Sequence, residues 1–247
     1  MVEYKHDKVV PFKNSELGKK EQVADMFDRI AFRYDFLNRF LSGGIDIYWR
    51  KKAISELLNC NHQFVLDVAT GTADMPIMMA KYLHPQKITG IDLSEGMLQV
   101  GRKKIASSNL EQLIELERGD CENLPFEDEC FDAVTVAFGV RNFENLEKGL
   151  REMRRVLKKG GRLVILEFSK PKNPLFKKMC NFYFKFITPG FGKIFSRNKE
   201  AYQYLDESVQ AFPEGEELIE ILLQSGFSMS RQKPLTFGIC SIYSSSK

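Results

Sequence analysis

The sequence predicts an α/β protein in which a parallel sheet carries helices on both faces. Short apolar segments alternate with stretches of helical periodicity through the middle of the chain, and this alternation is typical of parallel sheets. The first apolar segment runs into a turn with a glycine, Gly71, that opens a helix. Aspartates end or closely follow three successive segments. Because ligands of such sheets bind at the carboxyl ends of the strands, we expect the functional site there.

Each predicted element follows from its apolar residues, which alternate in strands and recur every third or fourth residue in helices. The predicted strands are Phe64–Ala69, Lys87–Asp92, Ile114–Arg118, Phe131–Phe138, Arg162–Phe168, Phe227–Gln232 and Thr236–Tyr243. The predicted helices run from the Gly71 turn to Leu83 and over Ser94–Ser107, Asn145–Leu157, Tyr202–Gln210 and Glu214–Gln224. A turn is predicted at Lys159-Gly160-Gly161.

The segments before this region divide into a tail and a helical cap. Residues 1–19 are polar, and we expect them to form a flexible tail. Residues 20–60 contain two stretches with helical spacing of apolar residues, separated by Gly43-Gly44. These helices have no other surface to pack on, so they are expected to cap the domain formed by residues 61–247. Within that domain, residues 170–212 break the alternation and are expected to form a helical insertion.

Composition narrows the class of protein. The 247 residues are 43% hydrophobic and 28% charged, as in ordinary globular proteins. The net charge of +3 is small and the basic residues are spread out, which argues against nucleic-acid binding. The five cysteines are scattered, so a disulfide framework or metal site is not expected and a reducing compartment is. A polar N-terminus and the lack of a membrane-length apolar run predict a cytoplasmic protein.

The predicted strand ends suit a nucleoside ligand without phosphates. A dinucleotide site uses three glycines at G-x-G-x-x-G spacing, whereas the turn after the first strand has Gly71 alone. Asp92 ends the second strand, where a carboxylate can accept hydrogen bonds from both ribose hydroxyls. Asp120-Cys121 follows the third strand and can present a carboxylate and a backbone N–H to adenine. Each aspartate alone is more commonly a cap or turn residue, so the prediction depends on their combination.

This combination resembles the class I S-adenosylmethionine methyltransferases over roughly residues 62–170. The resemblance implies a Rossmann-like, seven-stranded, mostly parallel sheet and S-adenosylmethionine as the methyl donor. It also implies that Asp67 and Gly71 hold the methionine end of that cofactor, that Thr72 contacts it from the loop, that Asp92 binds the ribose and that Asp120-Cys121 bind the adenine. One departure is Ala73, which stands where these enzymes usually have a second glycine.

Four blocks of sequence outside the cofactor residues are specific to a narrower family. They are Tyr34-Asp35-Phe36-Leu37-Asn38 with its continuation to Arg50, Phe138-Gly139-Val140-Arg141-Asn142, Arg155–Pro171 and Tyr202–Ser208. In this order they resemble the demethylmenaquinone/ubiquinone C-methyltransferases of quinone biosynthesis from about Lys20 onward. The resemblance implies a polyprenylated quinol as substrate, with demethylmenaquinol favoured. Asp46 and Lys159 depart from the family pattern, where His and Pro are common.

Arg141 is the first candidate for the chemical step. It follows the fourth predicted strand, and a guanidinium there could stabilise a phenolate developing on the quinol. Asn142 and Tyr34 could complete that polar group. The alternative is that Arg141 only pairs with Glu144 or a helix end. The sequence does not identify the general base.

The stretch 176–195 within the insertion alternates aromatic residues with lysines. One interpretation is a helix and loop that close over the core. The other is an apolar lid that receives the polyprenyl tail and contacts the membrane peripherally through its lysines.

Other functions stay open at this point. The same cofactor could serve methylation of the benzoquinol intermediate of ubiquinone or of another small lipid acceptor, since a fold does not fix a substrate. A non-catalytic S-adenosylmethionine-binding protein is a further alternative, although Arg141-Asn142 argues against it. The oligomeric state is open too, including a homo-oligomer.

Overall fold

The structure is a computed structural model, and it describes residues 4–171 and 199–247. The described residues form a sheet of seven strands in the order β3-β2-β1-β4-β5-β7-β6. The strands are β1 Phe64–Val68, β2 Lys87–Asp92, β3 Ile114–Arg118, β4 Phe131–Ala137, β5 Leu157–Phe168, β6 Ser228–Leu235 and β7 Cys240–Ser246. Strands β1 to β5 are parallel to one another, and β7 is antiparallel to both β5 and β6. The predicted fold class is confirmed.

Seven α-helices accompany the sheet in the described residues: α1 Lys19–Ser42, α2 Ile45–Ser55, α3 Asp74–Leu83, α4 Glu95–Ser107, α5 Leu146–Val156, α6 Lys199–Ala211 and α7 Glu216–Gln224. Gly43 and Gly44 separate α1 from α2 with φ of 59° and 80°, a conformation that costs glycine least. Ser94 caps α4 by accepting a hydrogen bond from the Met97 backbone N–H. The predicted helices therefore agree with the structure to within a few residues at their ends.

The predicted turn at Lys159-Gly160-Gly161 lies inside β5 instead. Leu157 already pairs with Phe131, and the register then shifts before Arg162 pairs with Ala133. Gly160 has a φ of 73°, and a Cβ on Gly161 would approach the Asp132 carbonyl to 2.8 Å. The two glycines thus form a bulge within a longer strand.

The last two strands lie nearer the C-terminus than predicted. Thr236–Gly238, expected to begin the final strand, forms a short turn in which Phe237 has a φ of 56°. Pro234 lies within β6, which is an edge strand of the sheet. An edge position tolerates proline because no second neighbour needs its missing N–H.

Two apolar cores lie on the two faces of the sheet. On one face α5 and α7 pack on the strands through Leu150, Met153 and Leu222. On the other face α2, α3 and α4 pack through residues such as Trp49, Met79 and Leu98. Helices on both faces leave the carboxyl ends of the parallel strands uncovered by the cores, which is where ligands of such sheets bind.

Helix α1 docks closely on the start of α4. The Asp28 carboxylate accepts hydrogen bonds from the Ser94 hydroxyl at 2.5 Å and from the Gly96 backbone N–H at 2.8 Å. A Cβ on Gly96 would lie 3.2 Å from the Asp28 Cα, so the close approach needs glycine. This contact fixes α1 beside the strand ends.

Part of the segment expected to be a flexible tail is packed in the structure. Lys5–Lys8 forms a short 3-10 turn, and the fully buried His6 ring meets the edge of Phe212 at 5.3 Å between centroids. The Lys19 ammonium donates to the His6 carbonyl. Burial lowers the pKa of His6 to about 3, so the ring is neutral at physiological pH.

Two findings concern the membrane and the insertion. No helix of the described residues is long and apolar enough to cross a bilayer. Of the insertion expected at residues 170–212, the structure shows α6 and the residues up to Phe212, while 176–195 lies outside the described residues.

Candidate active site

A cleft opens where β1, β2 and β4 end. Its volume is about 700 Å³ when the solvent at its open mouth is included. The strand-end residues Gly71, Asp92 and Gly139 form its floor, and α1 contributes Lys20 and Tyr34 to its wall. The cleft therefore lies at the switch point of the strand order, between β1 and β4.

Asp67 lies one residue before the end of β1 and is not among the residues that line the cleft. Its carboxylate accepts hydrogen bonds from the hydroxyls of Thr70 at 2.7 Å and Thr135 at 2.5 Å. Burial raises the pKa of Asp67 to about 6, although both threonines oppose the rise. The side chain is 1% exposed, so its charge would act on a ligand through the β1 turn.

Asp92 ties the first two strand ends together. Its carboxylate accepts hydrogen bonds from the backbone N–H groups of Gly71 at 2.8 Å and Ser94 at 2.9 Å. Burial raises its pKa above the usual value. An ionised carboxylate has about four lone-pair positions, so Asp92 can still accept from the hydroxyls of a ligand in the cleft that it lines.

Ala73, the departure from the methyltransferase pattern, does not narrow the cleft. It has a φ of 63°, a left-handed conformation that favours glycine. Its methyl group is fully buried and faces α4, where a Cβ on Gly101 would lie 3.2 Å from the Ala73 Cβ. The missing side chain at Gly101 accommodates the extra methyl at Ala73.

Thr72 lies in the same turn but is not among the residues that line the cleft. Its hydroxyl donates to the Asp35 carboxylate of α1 at 2.5 Å, and the Lys104 ammonium donates to the same carboxylate at 2.7 Å. In this structure Thr72 therefore joins the turn to α1 and α4.

The third strand end carries a charged cluster. The Lys20 ammonium of α1 lies 2.8 Å from carboxylate oxygens of both Asp120 and Glu122. Burial opposes a charged lysine, but the hydrogen bonds to these two carboxylates raise the pKa of Lys20 above its usual value. Cys121 lines the cleft, and burial raises the pKa of its thiol well above the usual value. Asp120 itself lies beside the lining residues, held by Lys20.

Tyr34 and Asn142 both line the cleft. Tyr34 packs edge-on against Phe27 with ring centroids 5.8 Å apart. Asn142 ends a 3-10 turn, Val140–Asn142, that follows β4. Its side-chain oxygen accepts a hydrogen bond from the Tyr204 hydroxyl at 3.0 Å. The structure thus brings together these two sequence-predicted residues from distant parts of the chain.

Arg141 has a different position from the one expected. Its side chain is 2% exposed and is not among the residues that line the cleft. Its guanidinium donates to the Glu167 carboxylate at 2.7 Å and to the Phe138 carbonyl at 2.6 Å. Burial raises the pKa of Glu167, while the charge of Arg141 opposes the rise. The partner of Arg141 is therefore Glu167, and the pair anchors the 3-10 turn that carries Asn142.

Four residues around the cleft have no role predicted from the sequence: Lys20 and Glu122, which line it, and Glu167 and Tyr204, which contact Arg141 and Asn142. One of them has a local signal, because Glu167 is a lone acid in the apolar run of β5. A charge there needs a buried partner, and Arg141 is that partner. The other three act across long sequence separations and have no such signal.

Comparison with known proteins gives the family. The model of the ubiE/COQ5 methyltransferase family matches residues 15–247. A demethylmenaquinone methyltransferase from Bacteroides fragilis is 48% identical over 245 residues, which are 99% of this chain and 99% of that protein. A ubiquinone/menaquinone biosynthesis C-methyltransferase UbiE from Geobacter sulfurreducens is 45% identical over 244 residues, 98% of this chain and 94% of that protein.

Solved structures are similar in fold. An S-adenosylmethionine-dependent methyltransferase from Thermotoga maritima has a TM-score of 0.61 at 20% identity. The match covers 90% of this chain and 99% of that protein. The [4+2]-cyclase SpnF has a TM-score of 0.68 at 15% identity, and the match covers 92% of this chain and 96% of the cyclase. Since a cyclase shares the fold, the fold alone does not fix the reaction.

The sheet order is that of the class I S-adenosylmethionine-dependent methyltransferase fold. Within that class, the chain belongs to the ubiE/COQ5 methyltransferase family. The methyl donor predicted from the sequence, S-adenosylmethionine, is confirmed by this membership.

Proposed function

We propose that this chain methylates a ring carbon of a polyprenylated quinol and that demethylmenaquinol is its preferred acceptor. The observation that carries the proposal is the cleft wall, where Tyr34 and Asn142 lie among the aromatic residues Phe27, Phe138 and Phe143. Apolar walls with few polar groups suit an aromatic ring that carries oxygens. Relatives named demethylmenaquinone methyltransferase in Bacteroides fragilis and Porphyromonas gingivalis support this acceptor.

A second candidate acceptor is the benzoquinol intermediate of ubiquinone. Relatives from Geobacter sulfurreducens and Geotalea daltonii are named ubiquinone/menaquinone biosynthesis C-methyltransferase. A smaller ring with the same oxygens would use the same polar side chains, so the two acceptors differ in how much apolar wall they contact.

The strand ends would hold the cofactor. Asp92 has lone pairs left for the ribose hydroxyls, and Cys121 lines the cleft beside Asp120 for the adenine. Gly71 brings backbone to the cleft for the methionine end, with the Asp67 carboxylate beneath it. A donor and acceptor set without a phosphate-binding glycine loop fits a nucleoside with an amino-acid tail.

S-adenosylmethionine supplies, when bound, a methyl group on a positively charged sulfur. The acceptor reacts after one hydroxyl loses its proton, because the phenolate makes the neighbouring ring carbon nucleophilic. A carbon–carbon bond then forms as the methyl–sulfur bond breaks, and its electron pair stays on sulfur. The methylated carbon then loses its own proton and the phenolate oxygen regains one, so the ring becomes aromatic again and one proton is released overall.

Tyr34 and Asn142 would stabilise the phenolate as hydrogen-bond donors in the cleft. Arg141 would act through its position rather than by contact. Its ion pair with Glu167 holds the turn on which Asn142 is carried. The proposal thus assigns binding to Tyr34 and Asn142 and anchoring to Arg141.

Peripheral membrane contact is also part of the proposal, since a polyprenylated acceptor is held in lipid. Phe32 is 93% exposed and Phe36 61% exposed on α1, and aromatic residues favour the membrane interface. The stretch 176–195, which lies outside the described residues, is proposed to receive the polyprenyl tail.

Co-sedimentation with anionic vesicles should fall for the double variant Phe32→Ser and Phe36→Ser. Equal sedimentation would remove α1 from membrane contact.

The experiment that tests the acceptor offers purified protein a short-chain demethylmenaquinol and the matching demethylated benzoquinol, each with S-adenosylmethionine. Mass spectrometry should find methylated naphthoquinol at the higher kcat/KM. A higher kcat/KM on the benzoquinol would reverse the preference. A protein that binds S-adenosylhomocysteine but methylates neither quinol would contradict the proposed function and favour the non-catalytic alternative.

A further inference from the structure

We infer that Tyr204 is a positioning residue that fixes the Asn142 side-chain amide with its NH2 group available to the acceptor cleft. The inference rests on the proposed function, because it assigns Asn142 a donor role toward a quinol oxygen. The two residues are 62 positions apart in the chain. Tyr204 comes from α6 and Asn142 from the turn after β4.

Tyr204 is held firmly on its own side of the contact. Its side chain is 1% exposed and packs in one cluster with Val23 and Met26 of α1. Burial raises the pKa of its hydroxyl above the usual value, so the hydroxyl keeps its proton at any physiological pH. Tyr204 therefore presents a fixed hydrogen-bond donor to Asn142.

The orientation of the Asn142 amide follows from the need of the buried Tyr204 O–H for an acceptor. With the side-chain oxygen of Asn142 toward Tyr204, the buried O–H finds its acceptor at 3.0 Å. With the amide turned over, the tyrosine oxygen would accept from the NH2 group and its own proton would have no partner among the described residues. A buried donor without a partner costs about 1 to 3 kcal/mol. The first orientation is the stable one.

The consequence for the cleft is two N–H donors on its wall. The Asn142 NH2 group makes no hydrogen bond to the described residues, and Asn142 lines the cleft. Its backbone is fixed as well, because its N–H donates to the Gly139 carbonyl at 3.0 Å. The rotations of its side chain are then the freedom left to Asn142, and the hydrogen bond from the Tyr204 hydroxyl restricts them. A preorganised donor of this kind favours the phenolate over the neutral hydroxyl.

The test is a double-mutant cycle on the full chain with Tyr204→Phe and Asn142→Ala, assayed by methylation of short-chain demethylmenaquinol. Tyr204→Phe should lower kcat about tenfold, as expected for one lost neutral hydrogen bond, with the Kd for S-adenosylhomocysteine unchanged. In the Asn142→Ala background the same change should have no further effect, because its partner is gone. Independent effects that multiply would overturn the inference.

The pH profile gives a readout that a structural role would not move. If the amide favours the phenolate, its loss of orientation raises the pKa of the bound quinol. The kcat profile of Tyr204→Phe should then shift to higher pH and approach the wild-type value at its alkaline end. A profile lowered equally at every pH would mean that Tyr204 only supports the fold.

Tyr243→Phe is the matched control. Tyr243 is 2% exposed, its hydroxyl accepts from the Gly215 backbone N–H at 2.8 Å, and it does not line the cleft. It should lose thermal stability like Tyr204→Phe but keep the wild-type pH profile. A wild-type protein that methylates no quinol would contradict the proposed function, whereas multiplying effects in an active protein would contradict this inference alone.

Discussion

The two halves of the cleft are built from different kinds of contact. In the cofactor half, the turns after β1 and β2, hydrogen bonds join chain neighbours or adjacent strands: Thr70 to Asp67, Ser94 to Asp92 and Gly71 to Asp92. In the acceptor half, Asn142 is bound by Tyr204 from 62 positions away and Tyr34 comes from α1. The first half is a local property of the sheet edge, and the second exists only when the whole chain is folded.

Because the two halves are built differently, substitutions in them should have different effects. A change in the cofactor half should weaken cofactor binding and leave the fold stable. A change behind the acceptor half should reduce folding stability and methyl transfer while cofactor affinity survives. The following predictions test that contrast.

Glu167→Gln should have the largest effect, because it leaves the Arg141 charge buried without a counter-ion. Breaking a buried ion pair costs about 3 to 5 kcal/mol, so urea denaturation should show a loss of that order in the free energy of unfolding. Methylation should fall, and S-adenosylhomocysteine should still bind in calorimetry at low temperature. The control is Glu207→Gln, since Glu207 pairs with Lys13 at the surface and should cost less than about 1 kcal/mol. Similar losses for both variants would contradict the contrast.

Asp92→Ala should weaken cofactor binding most. A carboxylate lost from ribose hydroxyls costs about 2 kcal/mol, roughly a thirtyfold rise in Kd. Calorimetric titration with S-adenosylhomocysteine measures it. Asp25→Ala, which removes a carboxylate paired with Arg29 on the surface of α1, should leave the Kd unchanged. An unchanged Kd for Asp92→Ala would remove Asp92 from the ribose site.

As the pH falls, Asp67 should lower the affinity for the cofactor but raise the stability of the folded protein. Its pKa of about 6 lies above the usual value of 3.8, so between these values the folded protein binds a proton that the unfolded chain does not. Its contribution to stability therefore rises as the pH falls through about 6. Affinity for the ammonium end of the cofactor should fall about tenfold between about pH 7 and about pH 5.

Asp67→Asn is the variant that isolates this group, because an amide has no charge to lose. Relative to the wild type, both of its pH dependences should be flatter, in calorimetry and in thermal denaturation. A variant that follows the wild-type affinity curve would assign the acid effect to another carboxylate, such as Asp92, whose pKa is also raised.

Ala73→Gly should have the smallest effect. Glycine tolerates the left-handed backbone conformation better than alanine, which stabilises the variant by about 1 kcal/mol. Loss of the methyl contact with α4 destabilises it by a similar amount. Thermal unfolding should therefore shift little, and the Kd for S-adenosylhomocysteine should stay within about twofold. A much tighter Kd would mean that the methyl group faces the ligand instead of Gly101.

The sequence predicted most of the fold because its signals are local. The bounds of β2 and β3 match the predicted strands, and α4 begins one residue after its predicted start at Ser94. The bulge in β5 was missed because Lys159-Gly160-Gly161 is equally compatible with a turn between elements. Side-chain type alone does not say whether a glycine pair ends a strand or bends it.

The candidate site was predictable only in part, for the same reason. Gly71, Asp92 and Cys121 line the cleft, as their places at strand ends suggested, and so do Tyr34 and Asn142. The partner of Arg141 could not be inferred from neighbours in the sequence, since Glu144 is nearer in the chain than Glu167. Thr72 is drawn toward α1 by Asp35, a contact between elements that only the packed structure defines.

The contact of Lys20 with Asp120 and Glu122 has a kinetic consequence. An adenine amino group that donates a hydrogen bond to Asp120 would share this carboxylate with an ammonium that already lies 2.8 Å away. We therefore expect entry of the cofactor to weaken the contact of Lys20 with this carboxylate, and dissolved salt to assist by screening the pair. Association of the cofactor should therefore become faster as the ionic strength rises. Association that is driven by attraction between opposite charges shows the reverse dependence.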